Sequence, residues 1–184
     1  MVWIILAIIA VIVLWAISAY NSLVGAKVKV ENAFSQIDVQ LQRRFDLIPN
    51  LVECVKGYMG HESDVLTKVT ELRTSWASAS SVAEKVDIDN QLSGALKTIM
   101  AVSENYPDLK ANQNFTSLQQ DLKDTENKIS YARQFYNDAV TRYNRDLMVF
   151  PTNIIASMFH FTPSKLFSVD TAEAKQNVKV DFGK

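Results

Sequence analysis

No charged side chain occurs before Lys27. A helix packed on a soluble domain needs a polar face, and Val2 to Tyr20 (VWIILAIIAVIVLWAISAY) has none. Roughly 19 residues at ~1.5 Å each span ~28 Å as a helix, the hydrocarbon thickness of a bilayer. Cysteine is limited to Cys54, which excludes an intramolecular disulfide, a CxxC pair and a thiolate metal cluster. With five glycines and four prolines, the chain is poor in turn formers. That argues against a many-stranded sheet, and no glycine-rich phosphate loop is present. The two histidines, His61 and His160, stand in no ligand-spaced pair, and no HExxH occurs. The 19 basic and 20 acidic residues leave a net charge of -1. Without a concentrated basic face, nucleic acid is not an expected partner.

What is present begins with the apolar run. Trp3, Trp15 and Tyr20 lie near its two ends, where aromatic side chains favour the membrane interface. The competing reading is a cleaved signal peptide. It requires a basic start, a shorter run and a small-residue cleavage site. No Lys or Arg precedes the run, and only Ala16, Ser18 and Ala19 offer such a site. A retained single-pass anchor over 1–21 is therefore expected. Lys27, Lys29, Arg43 and Arg44 all follow it, which places the body on the cytoplasmic side and the N-terminus outside.

Beyond the anchor, apolar residues recur at helical spacing. Val30, Phe34, Ile37, Leu41, Phe45, Ile48, Val52, Val55 and Met59 trace one stripe. Pro49 falls inside it without breaking its phase, so a kink is expected rather than a stop. With no linker after Tyr20, the anchor is expected to run directly into this helix, Gly25 being the weak point. A second helix carries Val65, Val69, Leu72 and Trp76, with Ser63 as its cap. The run SASSVAEKVDID, Ser78 to Asp89, reads as a surface loop. A third helix carries Leu92, Leu96, Ile99 and Val102 or Ser103, and ends before Pro107. The last spans about 114–149, capped by Asn112 or Asn114, and ends at Pro151. The first and last are both about 38 residues, or ~57 Å. The expected fold is all-α: a transmembrane helix, then a long antiparallel four-helix up-down-up-down bundle over 22–150, then an apolar segment and a polar tail over 151–184.

Two groups of residues stand out. Glu126 and Arg133 lie one heptad apart, as do the pairs Tyr136-Asn137 and Tyr143-Asn144; Arg43, Arg44 and Asp46 on the first long helix are placed to face them. Their expected role is either an inter-helix polar network that sets register or a face for a partner. If the last helix returns to the membrane, Ile154, Ile155, Met158, Phe159, Phe161 and Phe167 lie at the lipid surface. The alternative is that they cover the end of the bundle. Cys54 borders the apolar stripe and reads as a buried thiol. His160, between Phe159 and Phe161, reads as partly buried or interfacial, and His61 as a turn residue. No catalytic residue, metal site, cofactor or small-molecule substrate is indicated.

Three stretches resemble the LemA family of bacterial membrane proteins: VENAFSQIDVQLQRRFDLIPNLVECVKGY (30–58), ENYPDLKANQNFTSLQQDLKDTENKISYARQFYNDAV (104–140) and FPTNIIASMFHF (150–161). The resemblance implies a helical bundle behind one membrane helix, in the bacterial inner membrane. It also implies a role in membrane organisation, since the family includes a magnetosome-associated member. Some relatives are encoded beside a membrane metallopeptidase of the HtpX type. The resulting expectation is a non-enzymatic scaffold whose partners are membrane lipid and further copies of itself. An adaptor that recruits a membrane peptidase or its clients is the alternative.

Overall fold

The computed structural model describes residues 1–58 and 63–167. Among them the regular structure is all helix, with no strand: α1 (Val2–Lys56), α2 (Ser63–Ser78), α3 (Val82–Ser103), α4 (Pro107–Lys110), α5 (Gln113–Met148) and α6 (Thr152–Met158). Met59, Gly60, His61, the capping role of the Ser63 side chain and the polar tail 168–184 lie outside the described residues.

Helix α1 runs 55 residues without a break, through Gly25 and through Pro49. The expected anchor is thus the first third of one helix, with no boundary at residue 21. From Val2 to Ile17 every large apolar side chain is exposed. Burial begins at Ala19 and continues as a single stripe: Leu23, Val30, Ala33, Ile37, Leu41, Phe45, Ile48, Leu51 and Val55. Successive buried residues fall three, four or seven apart, so one face stays inward for ten turns. Ala33 and Leu51 take the buried places expected of Phe34 and Val52, which are half-buried. Cys54 is also half-buried, and its desolvation pushes the thiol pKa up.

Contacts divide the chain into two units. The first joins Met1–Gln40 to 127–167. Here Ala19 and Leu23 of α1 pack with Ile155 and Ala156 of α6, and Ala16, Leu147 and Phe161 close around them. Phe34 meets Tyr136 edge-on, with ring centroids 5.9 Å apart. The second unit contains Leu41–Glu126. Phe45 of α1 stacks on Trp76 of α2 at 4.8 Å, and Lys85 of α3 lies over the same indole at 4.9 Å.

The expected loop Ser78–Asp89 is a correction. Helix α3 starts at Val82, inside it, because Ser81-Val82-Ala83-Glu84 is a capping box. The Ser81 hydroxyl accepts from the Glu84 N–H, and the Glu84 carboxylate accepts from the N–H groups of Ser80 and Ser81. These bonds hold the Glu84 pKa below the ordinary carboxylate range. Pro107 opens the short α4 at its first position, where its missing N–H has no intrahelical partner to lose. Asn112 caps α5: its Oδ1 accepts from the N–H groups of Asn114 and Phe115. Ser103 and Thr125 fill gaps in the stripes of α3 and α5. Each is buried with its hydroxyl returned to the preceding turn, to Met100 O and Asp121 O.

Candidate functional site: a buried arginine and a strapped helix

Arg44 lies on the buried stripe of α1, one residue before Phe45. A guanidinium cannot shed its charge, so its burial demands partners. Nη1 donates to Asp89 Oδ1 at 2.9 Å and to Ser93 Oγ at 3.0 Å, both on α3. Asp89 is fully buried, and α5 contributes Glu126, whose Oε2 is 2.8 Å from the same nitrogen. That last contact is an ion pair without hydrogen-bond alignment. One cation thereby ties three helices of the second unit together. Of the other residues expected here, Arg43 is exposed, and Asp46 is exposed and accepts from Gln42 one turn earlier at 2.9 Å. Asp89 escaped the sequence reading because it sat in the expected loop.

The heptad pairs on α5 meet a different target. After α6 the chain reverses through His160, whose φ of 56° is left-handed. Phe161 N–H donates to Ala156 O and His160 N–H to Ser157 O, a Schellman closure with a histidine where glycine is usual. The His160 side chain is exposed, which excludes partial burial, the first of the two places expected for it. The chain from Phe161 to Phe167 then lies along α5 with no regular secondary structure of its own.

Four side chains of α5 strap it down. Asn137 accepts from Phe167 N–H at 2.8 Å and donates to Phe167 O at 3.0 Å. Asn144 does the same with Ser164, at 2.9 and 2.8 Å. Each carboxamide thus replaces the facing strand of a β-ladder. Tyr136 Oη donates to Lys165 O at 2.9 Å, and Tyr143 Oη to Thr162 O at 3.1 Å. The match is metric. Seven helical residues advance ~10.5 Å, and three extended residues advance ~10 Å. Both the Asn pair and the Tyr pair are seven apart on α5, and their targets are three apart on the strap. Phe167 completes it, buried edge-on to Tyr136 at 6.5 Å with the Arg133 guanidinium 4.6 Å from its ring.

The six apolar residues expected at the lipid surface divide. Ile155 and Phe167 are buried and Phe161 half-buried, all against protein, whereas Ile154, Met158 and Phe159 are exposed. Among the described residues no cluster of His, Cys, Asp and Glu has the makings of a metal site.

Replacing Arg44 by Met is expected to leave Asp89 buried without its cation and to cost about 3–5 kcal/mol in chemical denaturation. Combining Arg44→Met with Asp89→Leu should recover most of that loss; a double variant as unstable as the single one would show that the carboxylate is not the problem. For the strap, Asn137→Ala and Asn144→Ala each orphan two backbone groups. Each is expected to cost about 1–2 kcal/mol and to speed tryptic cleavage after Lys165, an unchanged cleavage rate being the contrary result. Burial holds both tyrosine pKa values above the usual 10.0, and at Tyr143 the Glu31 carboxylate adds to the effect. Both phenols therefore remain donors throughout the physiological range. Their contribution is present below the unfolded phenol's pKa and is lost as pH rises through the folded one.

Comparison with known proteins places these features. The chain is 24% identical to Protein LemA of Metamycoplasma hominis over 164 residues, covering 84% of this chain and 75% of that protein. It is 25% identical over 174 residues to the magnetosome proteins MamQ 1 and MamQ 2 of Paramagnetospirillum magneticum. There it covers 80% of this chain but spans only 64% of the relatives' length. The LemA family model matches residues 33–182, which takes in the Arg44 centre, the cap of α3 and the strapped helix. The chain belongs to the LemA family.

Proposed function

We propose that this protein is a non-enzymatic, single-pass scaffold of the bacterial inner membrane that assembles with further copies of itself. Its long helical stretches are read as an antiparallel four-helix up-down-up-down bundle. One observation carries the assembly reading: an open apolar groove on the first unit, between α1 and α5. Val39, Tyr131 and Phe135 line it, 63%, 74% and 61% exposed, together with the half-buried Ala132. The groove holds about 570 Å³ and is edged by Ser35, Gln36, Gln40 and Lys128. A cluster of three large apolar side chains in contact with water, rimmed by polar ones, is the composition of an interaction surface.

The anchor favours a second copy as the occupant. Val39 follows Tyr20 by 19 positions on one unbroken helix, or about 28 Å. Every copy held in the same membrane therefore presents the groove in the same band. Confinement to a plane raises the effective concentration of like surfaces facing each other. Two of the relatives are named magnetosome proteins.

Complexes extracted gently from native membranes are expected to appear in native mass spectrometry as multimers of this chain alone. Tyr131→Glu with Phe135→Glu should reduce them to monomers at unchanged helical content. A fixed complex with one second membrane protein, a peptidase of the HtpX type included, would replace the scaffold with the adaptor.

Orientation follows the basic residues. Lys27 and Lys29 flank the span, and Lys29 shares a groove with Arg142 and Arg145 of α5. Basic residues close to a span favour the cytoplasmic side. Protease added to intact spheroplasts is therefore expected to spare the body; its digestion would reverse the topology.

A further inference from the structure

We infer that α6 and the turn before it form a foot that rests in the lipid surface beside the point where α1 leaves the bilayer. The inference rests on the anchoring just proposed, but not on self-assembly.

Depth comes first. Tyr20 lies 18 residues after the start of α1, about 27 Å along a helix that carries no charge before Lys27. That distance brings Tyr20 to the far edge of a hydrocarbon layer of about 30 Å. Helix α6 is clasped at this level. Its inner side, Ile155 and Ala156, is buried on Ala19 and Leu23. The Tyr20 ring is 4.7 Å from that of Phe159 and 5.8 Å from that of Phe161. The level of α6 is therefore set by contact with the anchor itself.

The outer side of the same segment is apolar as well. Phe150 is 76% exposed and Met158 60%, and Met148, Ile154 and Phe159 are exposed beside them. From Leu147 to Ser164 the sequence contains no Asp, Glu, Lys or Arg. Only two long stretches of this chain are without these residues. One is the anchor, and the other is the segment packed against its end. A short helix with one apolar side on protein and another facing outward at interface depth has a lipid surface as its neighbour. Phe150, Met158 and Phe159 therefore enter the boundary between headgroups and acyl chains, giving the protein a second hold on the leaflet that α1 leaves.

The test uses the full chain with Cys54→Ser, reconstituted in vesicles of phosphatidylcholine and phosphatidylglycerol. A nitroxide is attached to one new cysteine at a time: Phe150→Cys, Met158→Cys, Gln119→Cys as a water reference and Ile8→Cys as an acyl-chain reference. Power saturation then compares collisions with oxygen and with a neutral nickel chelate. Labels at 150 and 158 are expected to favour oxygen over nickel several-fold more than the label at 119, with values between those of 119 and 8. Nickel access equal to that at 119 would overturn the foot and leave the anchor standing. Spin–spin broadening at 158 with shielding from both reagents would also overturn it, by showing a second copy in the lipid's place. Nickel access at position 8 would remove the anchor and the foot together. Circular dichroism of each labelled chain confirms that helical content is retained.

Discussion

Both units of this protein draw on one helix that must keep its phase. Helix α1 has a single buried stripe, from Ala19 to Val55, and it serves two separate cores in succession. A slip of one residue would rotate the stripe by about 100° and turn it toward water. Proline at position 49 is tolerated under that constraint because it removes one hydrogen bond without changing the residue count. Upstream of Ala19 the stripe is absent, and the side chains are exposed on every side. The same helix thus changes surroundings partway along its length, from exposed apolar side chains to a protein core, and its first charge follows at Lys27.

The buried polar groups act on the register of the helices. A buried arginine between Asp89 and Glu126 adds little net stability, since desolvation offsets most of the attraction. Its effect is to penalise any arrangement of α1, α3 and α5 that separates the three. A fully apolar seam would allow neighbouring registers at small cost. In the first unit the same work is done by neutral amides, which pair with backbone and carry no desolvated charge.

The parts legible in the sequence were those governed by periodicity. The apolar run, the stripe of α1 and the extent of α5 each depend on residues a few positions apart. Ser78–Asp89 was misread because its small polar residues outweighed a four-residue capping signal, Ser81 to Glu84. That error hid Asp89, the principal partner of Arg44. The Tyr-Asn pairs were visible as a heptad repeat on α5, but their partners were not. Those partners are backbone groups about 20 to 30 residues away, and a backbone amide carries no residue type to read. Val39 lies off the stripe of α1, and its groove neighbours Tyr131 and Phe135 lie more than 90 positions later, beyond the reach of local periodicity.

The strap has a consequence for what its sequence is free to be. Asn137 and Asn144 grip main-chain atoms, and the two tyrosines accept any carbonyl at the right height. Pro163 falls between a used carbonyl at Thr162 and a used N–H at Ser164, so its missing donor goes unnoticed. Identity is constrained at Phe167, which is buried edge-on to Tyr136 with the Arg133 guanidinium over its ring. What α5 measures is length. Substitution at Thr162, Lys165 or Leu166 is neutral to the grip, whereas a single insertion or deletion between Ser164 and Lys165 puts the bonds at Lys165 and Phe167 out of step with those at Thr162 and Ser164. The segment behaves as a gauge that tolerates rewriting and forbids re-spacing.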